Sequence, residues 1–328
     1  MTRMRVVQVS EFGGPEVLAP REVDPPEPGP GEVLVRLTAS GVNFIDIYHR
    51  VGRYRLPLPF VPGVEGAGVV TAVGDDVTDP TVGQRVGWVN LPGTYAEYAT
   101  VPAARTIPLP DGVDDELAAA VLVQGITAHY LTRGSYPVRP GDDILVHAAA
   151  GGTGALIVQV ATALGARVIG TVSTADKEKV AREAGAAEVI RYADGTAEIP
   201  ERVRALTSGR GVAAAYDGVG AATFEASLAS LARRGTLVYF GAASGLVPPF
   251  DLARLAGGSL LVTRPTIGDF IAERAELLGR AGDVLGWVAD GRLRVAVSER
   301  FPLAEAAAAH RALESRRTTG KLLLTIDA

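Results

Sequence analysis

Two hydrophobic periodicities divide the chain. Through the first 120 residues, short apolar–polar alternations are separated by turn residues. Residues 5–9, 18–23 and 33–37 read as strands. Gly13-Gly14-Pro15 is a turn, and Pro25 to Gly31 is a proline-rich surface linker. Residues 40–50 predict a short helix carrying several polar groups, residues 62–74 a turn, a strand and a turn, and residues 83–87 and 93–101 further strands. The evenly spaced turn signals predict a twisted all-β module of barrel-like form.

From Asp114 the period becomes helical, with helical stretches over 117–123 and 125–131. Strands and helices then alternate: strand 144–147 leads to helix 152–164, 167–172 to 175–184, 188–191 to 197–207, and 212–217 to 223–232. Strands 236–241 and 260–263 follow, then helices over about 268–289, an extended stretch at 293–300, helix 303–315 and strand 321–326. Such alternation predicts an α/β fold, a doubly wound parallel sheet with right-handed crossovers. The final strand is expected to return to the first module. The expected domains are residues 1–123, completed by about 292–328, and residues 124–291. The apolar strand 260–263 would lie at a sheet edge, where it either pairs with another copy or is covered by the next helix.

The strand 144–146 opens a small-residue turn and an apolar helix. A dinucleotide fingerprint reads G-x-G-x-x-G; here it is Ala149-x-Gly151-x-x-Gly154. Glycines let the backbone approach a pyrophosphate, and the helix start offers N–H groups and a positive dipole end. Alone, such a turn is equally a tight bend; its place between strand and helix makes it a phosphate cradle. An NAD site usually carries an acid at the end of the second strand. Here Gly170-Thr-Val-Ser-Thr174 has none, and Asp176 reads as a helix-start residue. Ser173 and Lys177 fit a 2′-phosphate, which favours NADPH; the alternative is that Ser173 and Thr174 cap the next helix and Lys177 is a solvated charge. Tyr192 ends the third strand, either beside the adenine phosphate or simply as a half-buried tyrosine. Asp217-Gly-Val-Gly220 and Phe240 to Ser244 end the fourth and fifth strands and would line the nicotinamide half.

Composition narrows the chemistry. The 328 residues contain no cysteine, which removes disulfides, thiol catalysis and cysteine-bound zinc. His49, His129, His147 and His310 are scattered without ligand spacing and read as structural. A net charge of −5 with interspersed signs gives no global attraction to nucleic acid or anionic membrane. No apolar run is long enough for a membrane span, and the N-terminus lacks a signal-peptide core, so a cytoplasmic protein is expected. Lysine occurs only at 177, 179 and 321.

The stretch from Asp142 through Gly151-Gly-x-Gly154 to Gln159 resembles the signature of the quinone oxidoreductase and zeta-crystallin branch of the zinc-independent medium-chain dehydrogenase/reductase superfamily. Asn43-Phe-Ile-Asp46, Pro62-Gly-x-Glu65, Thr263-Arg-Pro265, Ala309 to Arg316 and Gly320-Lys321 are similar to it as well. The resemblance spans essentially the whole chain. It implies an N-terminal chaperonin-10-like β-barrel, a Rossmann domain and a cleft between them. It places Asn43 and Asp46 toward nicotinamide and substrate, and makes Tyr54 a tyrosine that steadies a quinone oxygen. It implies contacts to NADPH from Asn43, Tyr130, Gly151, Gly152, Thr153, Ser173, Lys177, Tyr192, Phe240, Gly241, Ser244, Arg264 and Lys321. It also implies a homodimer. Thr153, Gly218, Gln124 and Ile47 depart from the residues usual at those positions in relatives.

These readings converge on reduction of a quinone by NADPH without a metal. The cofactor carries the chemistry and the protein supplies orientation and dipoles. Two other functions share the features: an NADPH-dependent enone or alkenal reductase, and an NADPH-binding structural or RNA-binding protein.

Overall fold

The computed structural model describes residues 3–192, 195–315 and 317–326; Arg316 of the C-terminal motif lies outside them. Two compact units emerge, Met1–Ile126 with Ile271–Ala328, and Thr127–Phe270.

In chain order, β1 (Met4–Gln8) and β2 (Ala19–Val23) form an antiparallel hairpin. β3 (Glu32–Val42) is the spine of the first unit, pairing with β4 (Glu65–Val73) and β6 (Tyr98–Pro102). Its inward positions Val33, Val35, Leu37 and Ala39 are buried two residues apart, the strand period read in the sequence. α1 (Phe44–Arg50) follows β3 directly, and β5 (Arg85–Val89) with β7 (Ile107–Pro108) extends the sheet beyond β4.

α2 (Asp115–Tyr130) is one helix, where the sequence suggested two stretches around Gly125. A Cβ at Gly125 would stand 2.5 Å from Val284. The glycine therefore marks close helix packing, not a break. One wide turn, Leu131–Ser135, ends the helix.

The second unit then runs β8 (Asp143–Val146), α3 (Gly152–Ala163), β9 (Arg167–Val172), α4 (Ala175–Glu183), β10 (Glu188–Arg191), α5 (Ile199–Leu206), β11 (Val212–Asp217), α6 (Phe224–Ser230), β12 (Leu231–Tyr239), β13 (Leu261–Thr263) and α7 (Ile267–Phe270). Its six strands are parallel in the order β10-β9-β8-β11-β12-β13. That is the doubly wound Rossmann order, with its reversal between β8 and β11.

The tail contributes α8 (Arg274–Ala289), β14 (Val297–Pro302), α9 (Ala306–Glu314) and β15 (Lys321–Thr325). β15 pairs antiparallel with β3 and parallel with β14. The tail rejoins the first unit at Ile271, not near 292, so α8 belongs there. Two arginines fasten the junction: Arg105 donates to Ile271 O at 2.7 Å, and Arg274 donates to Ala104 O at 2.7 Å. An amphipathic period shows that a helix has a buried face; it does not show which core receives that face.

Candidate active site

The second unit builds its site largely from backbone. Val146 ends β8, and Ala148 takes a left-handed φ of 50° to start the turn. Gly151 precedes α3, and no side chain caps that helix, so its first N–H groups have no side-chain partner. Gly154 sits directly beneath the turn; a Cβ there would strike the Ala148 carbonyl group, whose carbon would be 2.9 Å away. The glycine spacing thus produces a bare helix start held against a strand end, at the reversal point where open sheets bind dinucleotides.

Around it stand the predicted contacts. Gly151, Gly152 and Thr153 are half-buried in the turn, and Ser173 is exposed just past β9. Thr174 caps α4, its hydroxyl accepting from the Lys177 amide at 3.3 Å. The capping alternative therefore holds for Thr174, while Ser173 caps nothing among the described bonds. Lys177 and Tyr192 are half-buried, and the Tyr192 amide donates to Val172 O at 3.1 Å, beside the end of β9.

Ser244 donates to Val219 O at 2.8 Å and accepts from the Ala222 amide at 2.9 Å, tying the loop after β12 to the loop after β11. Phe240 and Gly241 are half-buried between them, and a Cβ at Gly218 would meet the Phe240 ring at 2.8 Å. Phe240 therefore occupies the space that a side chain at position 218 would need. Arg264 lies 4.8 Å over the Tyr239 ring, and Tyr130 stacks on Phe270 with centroids 4.5 Å apart. Burial pushes the Tyr130 phenol up to about 12, keeping it a donor.

Sequence reasoning missed the polar cluster beneath these loops. Asp217 Oδ1 accepts from the Val219 and Gly220 amides at 2.9 and 3.0 Å, and its Oδ2 accepts from Ser227 at 2.6 Å. Ser227 in turn bonds His147 Nε2 at 2.9 Å, and His147 Nδ1 bonds Thr171 at 2.9 Å. Burial lowers the His147 pKa, so the ring is neutral. The cluster joins the ends of β8, β9 and β11.

The first unit builds from side chains. Lys321 is buried, and its ammonium uses all three protons inside the protein: on Glu65 Oε2 at 2.5 Å, Asn43 Oδ1 at 2.8 Å and Gln124 Oε1 at 2.9 Å. Asn43 is equally satisfied. Its amide donates to Gly41 O at 3.2 Å and to Glu65 Oε2 at 3.1 Å, and its oxygen also accepts from Gln124 at 2.5 Å. Glu65 Oε1 accepts from the Val123 amide at 2.6 Å. Gly41 makes this possible, because a Cβ there would collide with the Glu65 carboxylate and the Ala119 carbonyl. Burial pulls the Lys321 pKa down, and Glu65 opposes that pull.

Asp46 is fully buried beside this network. Its Oδ2 accepts from the Asn43 amide at 2.8 Å, closing the capping box of α1, and from Tyr95 at 3.2 Å. Desolvation raises its pKa to about 7; the Asn43 amide, Lys321 and Tyr95 pull the other way. Tyr54 is 39% exposed, edge-on to Tyr48 at 5.7 Å, with the Arg53 guanidinium 4.4 Å over the Tyr48 ring. Among the described residues no group of three His, Asp or Glu side chains is arranged to hold a metal ion.

A barrel-forming sheet joined to a dinucleotide-binding Rossmann unit defines the class of nucleotide-dependent dehydrogenases. Residues 29–111 match the alcohol dehydrogenase GroES-like domain, and residues 152–281 the zinc-binding dehydrogenase domain. The donor set here, without cysteine, does not fit the zinc of the latter description. The chain is 47% identical to a quinone oxidoreductase of Pseudomonas aeruginosa, over 97% of this chain and 98% of that one. It is 42% identical to a 2-haloacrylate reductase of Burkholderia, over 98% of each. A mycobacterial protein solved in complex with NADPH superposes with a TM-score of 0.95 at 50% identity, covering 98% of this chain and all of that one. The chain belongs to the quinone oxidoreductase family, in the zinc-independent branch of the medium-chain dehydrogenases/reductases, and is an oxidoreductase.

Proposed function

We propose that this protein reduces quinones with NADPH. The observation that carries the reading is the bare α3 start beneath a glycine turn at the sheet's reversal point, followed by a strand end with Lys177 and no acid. The residues fit the cofactor: backbone amides at 152 and 153 for the diphosphate, with Gly151 shaping the turn before them, and Ser173, Lys177 and Tyr192 for the phosphorylated ribose. When bound, NADPH supplies hydride. Tyr130, Phe240, Gly241, Ser244 and Arg264 all lie in the second unit. They would fix the orientation of the nicotinamide half, which is where positioning earns rate.

Roles for Asn43 and Lys321 as direct contacts require that one of their internal bonds be given up, since both are saturated. They act instead by holding α1 and the Glu65 charge in place. Tyr54, exposed and edge-on to the buried Tyr48 ring, is the group that steadies a quinone oxygen. Among the described residues no helix is long and apolar enough to cross a membrane. We place the protein in the cytoplasm as a homodimer paired through β13, an edge strand whose Leu261 is 57% exposed.

The test is a spectrophotometric screen of NADPH consumption against quinones and against electron-poor alkenes such as enones and 2-haloacrylates. Preference for quinones is the expected result. The haloacrylate-reducing relative supports the second reading, an alkene reductase on the same cofactor site, and preference for alkenes would establish it in place of the first. Leu261→Lys is expected to convert the dimer to monomer in light scattering; a monomeric parent removes the β13 pairing.

A further inference from the structure

The strand order of the second unit reverses between β8 and β11, and the backbone stops joining these strands just where a crevice opens. Their register ends at Val146 and Tyr216, and one further amide, His147 N to Tyr216 O at 3.0 Å, closes the ladder. Beyond that point, among the described residues, side chains make the link. His147, Thr171, Asp217, Thr223 and Ser227 are all buried there, inside one unit. Polar side chains gathered in a sheet core are costly unless each is bonded, and each of these is.

Proton counting fixes the direction of each bond. Asp217 only accepts: Oδ1 from the Val219 and Gly220 amides at 2.9 and 3.0 Å, both oxygens from Thr223 at 2.8 Å, and Oδ2 from Ser227 at 2.6 Å. Ser227 has one hydroxyl proton and gives it to Asp217. His147 Nε2, 2.9 Å from the Ser227 oxygen, must therefore donate to it. Burial keeps the ring neutral. Its Nδ1 is then bare and accepts from Thr171 at 2.9 Å. The donors run one way, from Thr171 to His147 to Ser227 to Asp217, which carries the link from β9 across β8 to β11.

Each end of this relay holds a piece of the surface assigned to NADPH. His147 immediately precedes Ala148, whose left-handed φ of 50° starts the turn into α3. Asp217 bends residues 218–220 back over the end of β11, where Gly220 takes a φ of 90° that an L side chain rarely adopts. The loop after β12 is fastened to that bend by Ser244 N on Val219 O at 2.7 Å and Ala221 N on Gly245 O at 3.1 Å. Resting on the NADPH reading above, we propose that His147 and Ser227 are positioning residues that fix the span between the diphosphate turn and the loops for the nicotinamide half. Both are buried, so they act through the backbone they hold. The diphosphate sits at one end of the span and the reacting ring at the other, and a relay of set direction keeps the two in register.

The relay transmits a change made at its far end. Without the Thr171 hydroxyl, Nδ1 has no donor and nothing holds the ring proton on Nε2. Ser227 is then free to turn its own proton toward Nε2. Asp217 loses a donor, and the bend over β11 slackens with no alteration at Asp217 itself. A cofactor that reaches both ends of the span feels that slack, and hydride transfer feels it more than binding does, because transfer needs the ring in one place. A fragment that lacks the ring feels none of it.

The test uses the full chain and compares NADPH with 2′-phospho-ADP-ribose, the same cofactor without its nicotinamide. In the parent, NADPH is expected to bind tighter than the fragment, and nitrogen NMR of labelled histidine to show His147 as the Nε2–H tautomer at neutral pH. Thr171→Val keeps the side chain's size and removes its hydroxyl. It should leave fragment affinity within about twofold, shrink the preference for NADPH over the fragment about threefold, and slow single-turnover hydride transfer about tenfold, to whichever acceptor the parent reduces. Thr171→Ser keeps the hydroxyl and should return transfer to the parental rate. Ser227→Ala should match Thr171→Val, and the double variant should be no slower than the slower single, since one break already undoes the relay. If Ser227→Ala does not fold, the two variants at Thr171 decide by themselves. An Nδ1–H ring, equal weakening of fragment and NADPH in Thr171→Val, or losses that multiply in the double variant overturns the proposal. A parent that binds fragment and NADPH alike also overturns it, because the nicotinamide then has no held place, while the cofactor reading stands. A parent that binds neither removes that reading and the proposal together.

Discussion

The two units reach polar recognition by opposite routes. In the Rossmann unit the key groups are backbone amides at the start of α3 that no side chain caps. In the barrel unit the key groups are charged side chains buried and bonded to one another until almost nothing is left over. An unsatisfied helix start tolerates vacancy because water replaces the ligand. A buried ammonium has no such substitute, so it must be saturated by the protein itself. The contrast implies that substitutions in the buried barrel network damage folding, while those at the Rossmann helix start damage cofactor binding.

The largest effect should therefore come from Lys321→Met. It leaves Glu65 charged, buried and unpaired, and is expected to cost about 3–5 kcal/mol in urea-induced unfolding. Adding Glu65→Gln should recover part of that loss, because the stranded charge is removed with its partner. A double variant as unstable as the sum of the two singles would show that the pair is not coupled.

Next in size is a pH effect specific to the barrel unit. Asp46 has a folded pKa of about 7 against 3.8 when exposed. Between those values the folded chain holds a proton that the unfolded chain has lost, so this group's stabilisation fades as pH rises from about 4 to 7. The parent should lose on the order of 2–4 kcal/mol relative to Asp46→Asn across that window. His147 and His310 slope the other way. Their folded pKa values lie below 6.5, so the unfolded chain gains protons first and stability falls as pH drops below about 6.5. Urea midpoints of parent and variant measured across this range separate the two slopes; parallel curves would mean that Asp46 is ionised throughout.

The same contrast governs what could be read in advance. The Rossmann unit was legible because its site is local: strand, glycine turn and helix are contiguous, and strands 167–172, 188–191 and 212–217 form over the residues their pattern indicated. The barrel network was not, because Asn43, Glu65, Gln124 and Lys321 come from four elements and only the pairing of β15 with β3 assembles them. Lys321 stood out as one of three lysines, and the resemblance implied a cofactor contact; its bonds to Glu65, Asn43 and Gln124 could not be read from the sequence. His310 was read only as structural and Tyr95 carried no signal, since their bond to one another forms only once both are packed beside Arg50. His147 was read as structural and Asp217 as a strand end, but their link through Ser227 was not legible for the same reason.

Two variants of the cofactor surface sharpen the comparison. Lys177→Ala should leave the unfolding midpoint nearly unchanged while costing about 1.5–3 kcal/mol of NADPH binding and little of NADH binding, measured by calorimetric titration. Gly154→Ala, by contrast, should weaken both cofactors alike, because it displaces the turn that receives the diphosphate they share. Equal losses for both cofactors in Lys177→Ala would remove the 2′-phosphate role and return that side chain to the solvated charge its sequence also allowed.

The smallest effect belongs to Ser244, where the two styles of construction meet. Its hydroxyl bonds the Val219 carbonyl and the Ala222 amide, so it is a side chain used to shape backbone. Ser244→Ala deletes two neutral hydrogen bonds at a half-buried position where water can replace them, so the expected stability loss is about 0.5–1.5 kcal/mol. The loops it ties carry Gly218 to Gly220 and Phe240 to Gly241, the residues assigned to the nicotinamide half. Turnover should therefore fall more than NADPH affinity, because a loosened loop misplaces the reacting ring while the diphosphate keeps its grip. If affinity falls and turnover does not, Ser244 is itself a cofactor contact and the loop-tying bonds are incidental.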